Sequence, residues 1–179
     1  MADLAAASPH LFRLAYAGLA GMLLFLRLLP LDSAPGGLPG PDLLLAVTFA
    51  WVLRRPDFVP VWLIALILLM EDLLLMRPPG LWAALVVLGA EFLRSRAAFS
   101  RELGLLLEWA MVAVVMVLAA LAYRLVLAVA FLPQVALGQA LVQVAITILC
   151  YPAVVALSRL AFGLRKPATG EVDAHGRRM

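Results

Sequence analysis

The chain has 179 residues, 65% of them hydrophobic and 14% charged, whereas soluble domains carry about 45–50% apolar and about 25% charged residues. A mean hydropathy of +1.05, in long unbroken runs rather than alternation, excludes both an ordinary soluble domain and an outer-membrane barrel. The formal charge of +3 comes from turns and the C-terminal stretch, so no nucleic-acid partner is expected, and a single cysteine, Cys150, excludes an intramolecular disulfide and a multi-cysteine metal site.

In chain order, a short polar lead precedes a first helix expected over 11–30, which contains Arg13 and Arg27. It is long for the apolar part of a signal peptide, and the Asp-Ser-Ala that follows runs into Pro35, so a retained membrane helix is expected. After the loop APGGLPGP, Pro41-Asp42 opens a second run, 41–53, with a carboxylate near the positive helix end. That run is short for a span; Trp51 and the flanking arginines are expected to anchor it at the interface, with a re-entrant segment as the alternative. Helices over 57–76 and 80–94 form a hairpin around the turn Pro78, Pro79, Gly80. A fifth helix, 103–132, holds Arg124, and a sixth, 134–164, holds Pro152.

The expected fold is all-α: a polytopic membrane protein with one six-transmembrane-helix domain, 1–164, and a disordered tail, 165–179. Arg13, Arg54, Arg55, Arg94, Arg96, Arg101, Arg159, Arg165, Lys166, Arg177 and Arg178 make up 11 of the 14 basic residues. All fall on one side of a six-helix layout, which places both termini in the cytoplasm. Arg159, Arg165 and Lys166 there would meet anionic lipid head groups.

Charges inside apolar helices are costly and are usually paired or interfacial. Glu71, Asp72, Arg27, Arg77 and Arg124 share a similar depth near the opposite end. Glu71 or Asp72 is expected to pair with Arg124, leaving Arg27 and Arg77 to reach water. Such a cluster either fixes helix register or forms part of a partner or ligand surface. At the arginine-rich end, Glu91, Glu102 and Glu108 beside Arg94, Arg96 and Arg101 suggest a solvated, self-neutralising edge, with Arg54 and Arg55 nearby; the alternative is a docking face. Ala17 and Gly21, Ala136 and Ala140, and Gln139 and Gln143 have the four-residue spacing of helix-packing devices. Pro152 should free a backbone carbonyl that a neighbour must satisfy. His10 and His175 lie in the terminal segments, no spacing suits a metal, and no phosphate loop is present, so neither catalysis nor a cofactor is expected.

The segment RRPDFVPVWLIALILLMEDLLLMRPPGLWAALVVLGAEFLRSR resembles the MreD family of bacterial rod-shape-determining proteins, in its alphaproteobacterial form. The matching features are the Arg-Pro-Asp entry at Arg55 to Asp57, the acidic residue and leucines at Asp72 to Leu75, the Pro79-Gly80 turn, and a return helix ending in Phe-Leu-Arg. Glu71 beside Asp72 departs from the pattern and leaves both acids as candidates for the family's acidic position. The resemblance implies a non-enzymatic inner-membrane adaptor of the cell-elongation complex, working with MreC, MreB, RodA and its transpeptidase partner. It also implies a fold like the substrate-binding subunits of energy-coupling-factor transporters, so a vitamin-capturing subunit is the alternative function. The opening turns on the hairpin side hold no cluster of tryptophan or tyrosine in the sequence, which favours the adaptor.

Overall fold

The computed structural model describes residues 9–29, 39–97 and 104–162. The described residues are all-helical, with six α-helices: α1 Pro9–Leu28, α2 Leu43–Arg54, α3 Val61–Leu74, α4 Leu81–Ser95, α5 Leu105–Val129 and α6 Leu137–Phe162. A single 3-10 turn, Pro56–Phe58, links α2 to α3. The 165–179 tail and Arg101 lie outside the described residues.

Three helices, α1, α5 and α6, are long and apolar enough to cross a membrane. The other three have 12, 14 and 15 residues, short of the roughly 20 that a span needs. What α2 lacks in length it makes up in burial: every residue from Leu44 to Arg54 is enclosed. The helix packs against α6 and α4, while α3 pairs with α4, and α4 and α6 each pack on α5. Trp51 is therefore no interfacial anchor. Its ring is fully buried, lies edge-on to Phe162, and donates its indole N–H to the Ser158 hydroxyl at 3.3 Å.

Local chemistry sets the helix ends. Asp42 caps α2, its carboxylate accepting the Leu45 N–H at 3.1 Å, as short acidic side chains do at N-termini. The third helix begins at Val61, not at 57, because Pro56–Phe58 turns tightly and Pro60 brings no N–H to a preceding turn. Both α3 and α5 close in the left-handed C-terminal arrangement, with six-to-one bonds from Arg77 N to Asp72 O and from Leu132 N to Leu127 O, each 2.9 Å. The left-handed residues are Met76 (φ 53°) and Phe131 (φ 54°), whose side chains stand 93% and 95% exposed. These stops end α5 at Val129, three residues before the expected limit, and α6 starts at Leu137.

Close helix approach occurs at a residue that composition alone did not single out. A Cβ on Gly89 of α4 would stand 2.9 Å from Val115 Cγ1 and 3.1 Å from Phe49 Cζ, so α2, α4 and α5 meet at that point. By contrast, Gly21 has nothing within 4 Å, and Ala136 and Gln139 are exposed; none of the three packs one helix of this chain on another. Ala17 is half-buried, as are Ala140 and Gln143. Gly89→Ala should lower stability by about 1–3 kcal/mol through overpacking, read as a drop in thermal midpoint in detergent, whereas Gly21→Ala, with open space for its Cβ, should not lower it and should add up to about 1 kcal/mol of helix propensity.

Candidate functional site

The adjacent acids of α3 divide their work because neighbouring helical positions point about 100° apart. Both are fully buried. Glu71 hydrogen-bonds the Arg27 guanidinium of α1, and Arg77 approaches the same carboxylate oxygen at 3.6 Å. Arg27 also reaches Asp42 at 3.3 Å. Four charges from three helices and a turn thus compensate one another, as buried charges must.

Asp72 looks the other way, across the hairpin. One of its oxygens accepts the Gly80 N–H at 3.0 Å and the Ala83 N–H at 3.2 Å, so a residue near the end of α3 caps the start of α4. Gly80 sits at φ 83°, where a side chain would be strained. Pro78 precedes it and accepts the Leu81 N–H through its carbonyl at 3.2 Å. Pro79 completes the turn.

Arg124 does not join either acid. It lies on α5, away from α1 and α3, donates to the Val135 carbonyl at 3.1 Å, and its own carbonyl accepts from the Gln134 amide at 3.2 Å. The expected pairing with Glu71 or Asp72 is thereby corrected: Arg27 and Arg77 stand nearer to Glu71, and backbone N–H groups already hold Asp72.

Asp42, Arg77 and Arg124 border a cavity of about 620 Å³ at the hairpin end of the bundle. Its walls come from the α3–α4 turn (Leu75 to Pro78, Trp82), from α5 (Met116 to Leu127), from the following turn, and from α6 (Ala140 to Thr147). Trp82 and Tyr123 meet edge-to-face with centroids 5.5 Å apart, and Arg77 lies over the Trp82 ring. Here the structure corrects the expectation of an aromatic-poor hairpin end. The two rings are 41 positions apart in the chain, and only the packing of α4 on α5 brings them together. Thr147 closes the α6 wall, accepting the Asp42 N–H at 2.8 Å while donating to the Gln143 carbonyl at 2.7 Å.

The arginine-rich end keeps the Glu91–Arg94 pair and Arg96 in part or full exposure, but it also holds a second buried network, in which Glu108 is not part of a solvated edge. Arg54 is 3% exposed and Glu108 fully buried; the two pair at 2.8 Å, and the Tyr151 hydroxyl donates to the same carboxylate at 2.7 Å. Arg54 is consequently unavailable as a docking residue. Arg94 binds Glu91 at 2.8 Å and also donates to the Pro56 and Val59 carbonyls at 2.8 and 2.7 Å. It fastens the end of α4 to the α2–α3 connection. Arg55 and Arg96 lie over the rings of Phe58 and Phe92, and Arg96 is exposed. Nearer mid-bundle, the carbonyl freed by Pro152, that of Ile148, accepts the Trp109 indole N–H at 2.8 Å.

None of the protein-family models, curated proteins or solved structures compared with this chain matches it. The described residues are all-helical, and three of the helices are long and apolar enough to cross a membrane.

Two predictions follow the geometry. Glu71→Gln alone should destabilise the protein by about 1.5–3 kcal/mol, since the partly buried Arg27 and Arg77 lose the carboxylate they share, while combining it with Arg27→Gln should cost less than the sum of the single changes; chemical unfolding in mild detergent checks this. Trp109→Phe should cost about 1–3 kcal/mol by leaving the Ile148 carbonyl without its donor, measured by thermal unfolding.

Proposed function

We propose that the protein is a non-enzymatic adaptor of the inner membrane, holding components of the cell-elongation machinery together during lateral wall synthesis. The observation that carries this reading is the interlocking of the segment that resembles the MreD family. Arg94, from its Phe-Leu-Arg ending, binds the carbonyl of Pro56 in its Arg-Pro-Asp entry. Asp72 binds the Gly80 and Ala83 amides across its Pro-Gly turn. Residues that carry the resemblance are therefore joined as one folding unit, which a chance likeness between apolar sequences would not require. Asp72, which holds the turn, takes the family's acidic position in this proposal, and Glu71 serves the ion cluster.

In this reading the six helices form one membrane bundle like that of the energy-coupling-factor substrate subunits, with both termini and the arginine-rich end in the cytoplasm. Docking is lateral. The face of α1 that carries Leu14, Gly18 and Gly21 is uncovered, as are Ala136 and Gln139 at the start of α6, and small residues allow a partner's transmembrane helix to approach closely. The expected partners are MreC and the RodA synthase with its transpeptidase, with MreB reached through the cytoplasmic end.

The cavity favours a second reading, the substrate-capturing subunit of a vitamin transporter, because Trp82 and Tyr123 meet at its wall. Affinity purification of a tagged chain in mild detergent separates the two. Co-purification of MreC or the RodA synthase, reduced at least severalfold by Gly21→Leu, is the expected outcome; recovery of a transporter ATPase module with a bound vitamin would overturn the adaptor reading.

A further inference from the structure

The cavity lining differs in exposure. Arg77 and Arg124 are half-buried and Gln134 is exposed. Met116 of α5 and Leu45 of α2 are buried, and with half-buried Val144 of α6 they supply apolar lining; the buried polar lining, Asp42 and Thr147, is already hydrogen-bonded. At about 620 Å³ it falls within the range of small-molecule sites, roughly 300–1,000 Å³.

Most of the charge at this end is already compensated. Arg27 and Arg77 share Glu71, Arg27 also holds Asp42, and backbone amides hold Asp72. Arg124 differs: among the described residues no carboxylate lies within ion-pair distance of it, and the contact made by its side chain is a bond to the Val135 carbonyl. Tyr123 and Gln143 also line the cavity, and among the described residues neither side chain has a hydrogen-bond partner. A guanidinium, a phenol and an amide with bonding capacity to spare, above an apolar shaft, match an anionic head on an apolar chain. An uncompensated cation at membrane depth favours such a partner.

We infer that the cavity binds one acidic phospholipid, its phosphate against Arg124 with Tyr123 and Gln143 alongside, and an acyl chain directed toward Met116, Leu45 and Val144. The site is independent of which protein docks on the outer faces of the bundle. Phosphate recognition by a planar guanidinium supplies the charge selectivity, and the shaft supplies affinity through apolar burial.

The full-length chain, purified in mild detergent and exchanged into nanodiscs of equal phosphatidylglycerol and phosphatidylcholine, would be released for native mass spectrometry. One phosphatidylglycerol retained per protein, in preference to phosphatidylcholine, is expected. Arg124→Gln should reduce that preference about tenfold, the loss of one hydrogen bond to a charged group, while Arg124→Lys should retain most of it. Val144→Trp, which fills the shaft and leaves every charge in place, should displace the lipid. Exposed Arg96, at the opposite end, serves as control: Arg96→Gln should retain phosphatidylglycerol as the unaltered chain does. Equal retention of the two lipids, undiminished retention by Arg124→Gln, or a soluble anion or peptide in place of lipid would each overturn the proposal. A variant's thermal midpoint, measured alongside, distinguishes lost lipid from lost fold.

Discussion

A carboxylate enclosed by apolar helices must find compensation within the fold, and Glu71 and Asp72 impose that requirement at two neighbouring positions. Their side chains diverge, so one set of partners cannot serve both. Glu71 draws Arg27 from α1 and Arg77 from the turn, and Arg27 in turn meets Asp42 at the start of α2. Asp72 takes the backbone amides of the hairpin. The relative placement of α1, α2, α3 and α4 at this end is tied to giving each acid partners on one of its oxygens. Removing one partner would expose the full cost of burying the remaining charge.

The opposite end obeys the same rule with different residues. Arg54 and Glu108 are enclosed together, and Tyr151 fills a further acceptor site on the carboxylate, so α2, α5 and α6 are tied where they converge. Between the two polar ends, α2 is almost wholly surrounded. Its twelve residues act as a core helix around which longer, partly exposed helices are arranged. The cavity is enclosed by α5, α6 and the hairpin turn, and Thr147 on Asp42 ties α6 to the start of α2 in its wall.

Much of this was legible along the chain. The helices, the Pro-Gly hairpin, the carboxylate cap at Asp42 and the carbonyl freed by Pro152 all follow from local chemistry: proline lacks an N–H, glycine tolerates a positive φ, and a short acid satisfies the first turn. The pairings were not legible. Arg124, Arg27 and Arg77 share a similar depth, and depth does not say which helix neighbours which. The same limit hid the meeting of Trp82 with Tyr123, the burial of Glu108, and the close approach at Gly89, which Gly21 does not share.

Read along the chain, the residues specify the elements: an apolar composition that favours helices with internally satisfied backbones, and turn residues that set where they stop. They also determine that some charges had to be buried, since these fall inside apolar runs. Their partners, the helix that became the core and the faces left uncovered depend on how the helices pack. The physical reason is that helix propensity and capping act over a few residues, whereas ion pairing and close packing depend on distances between segments remote in the chain.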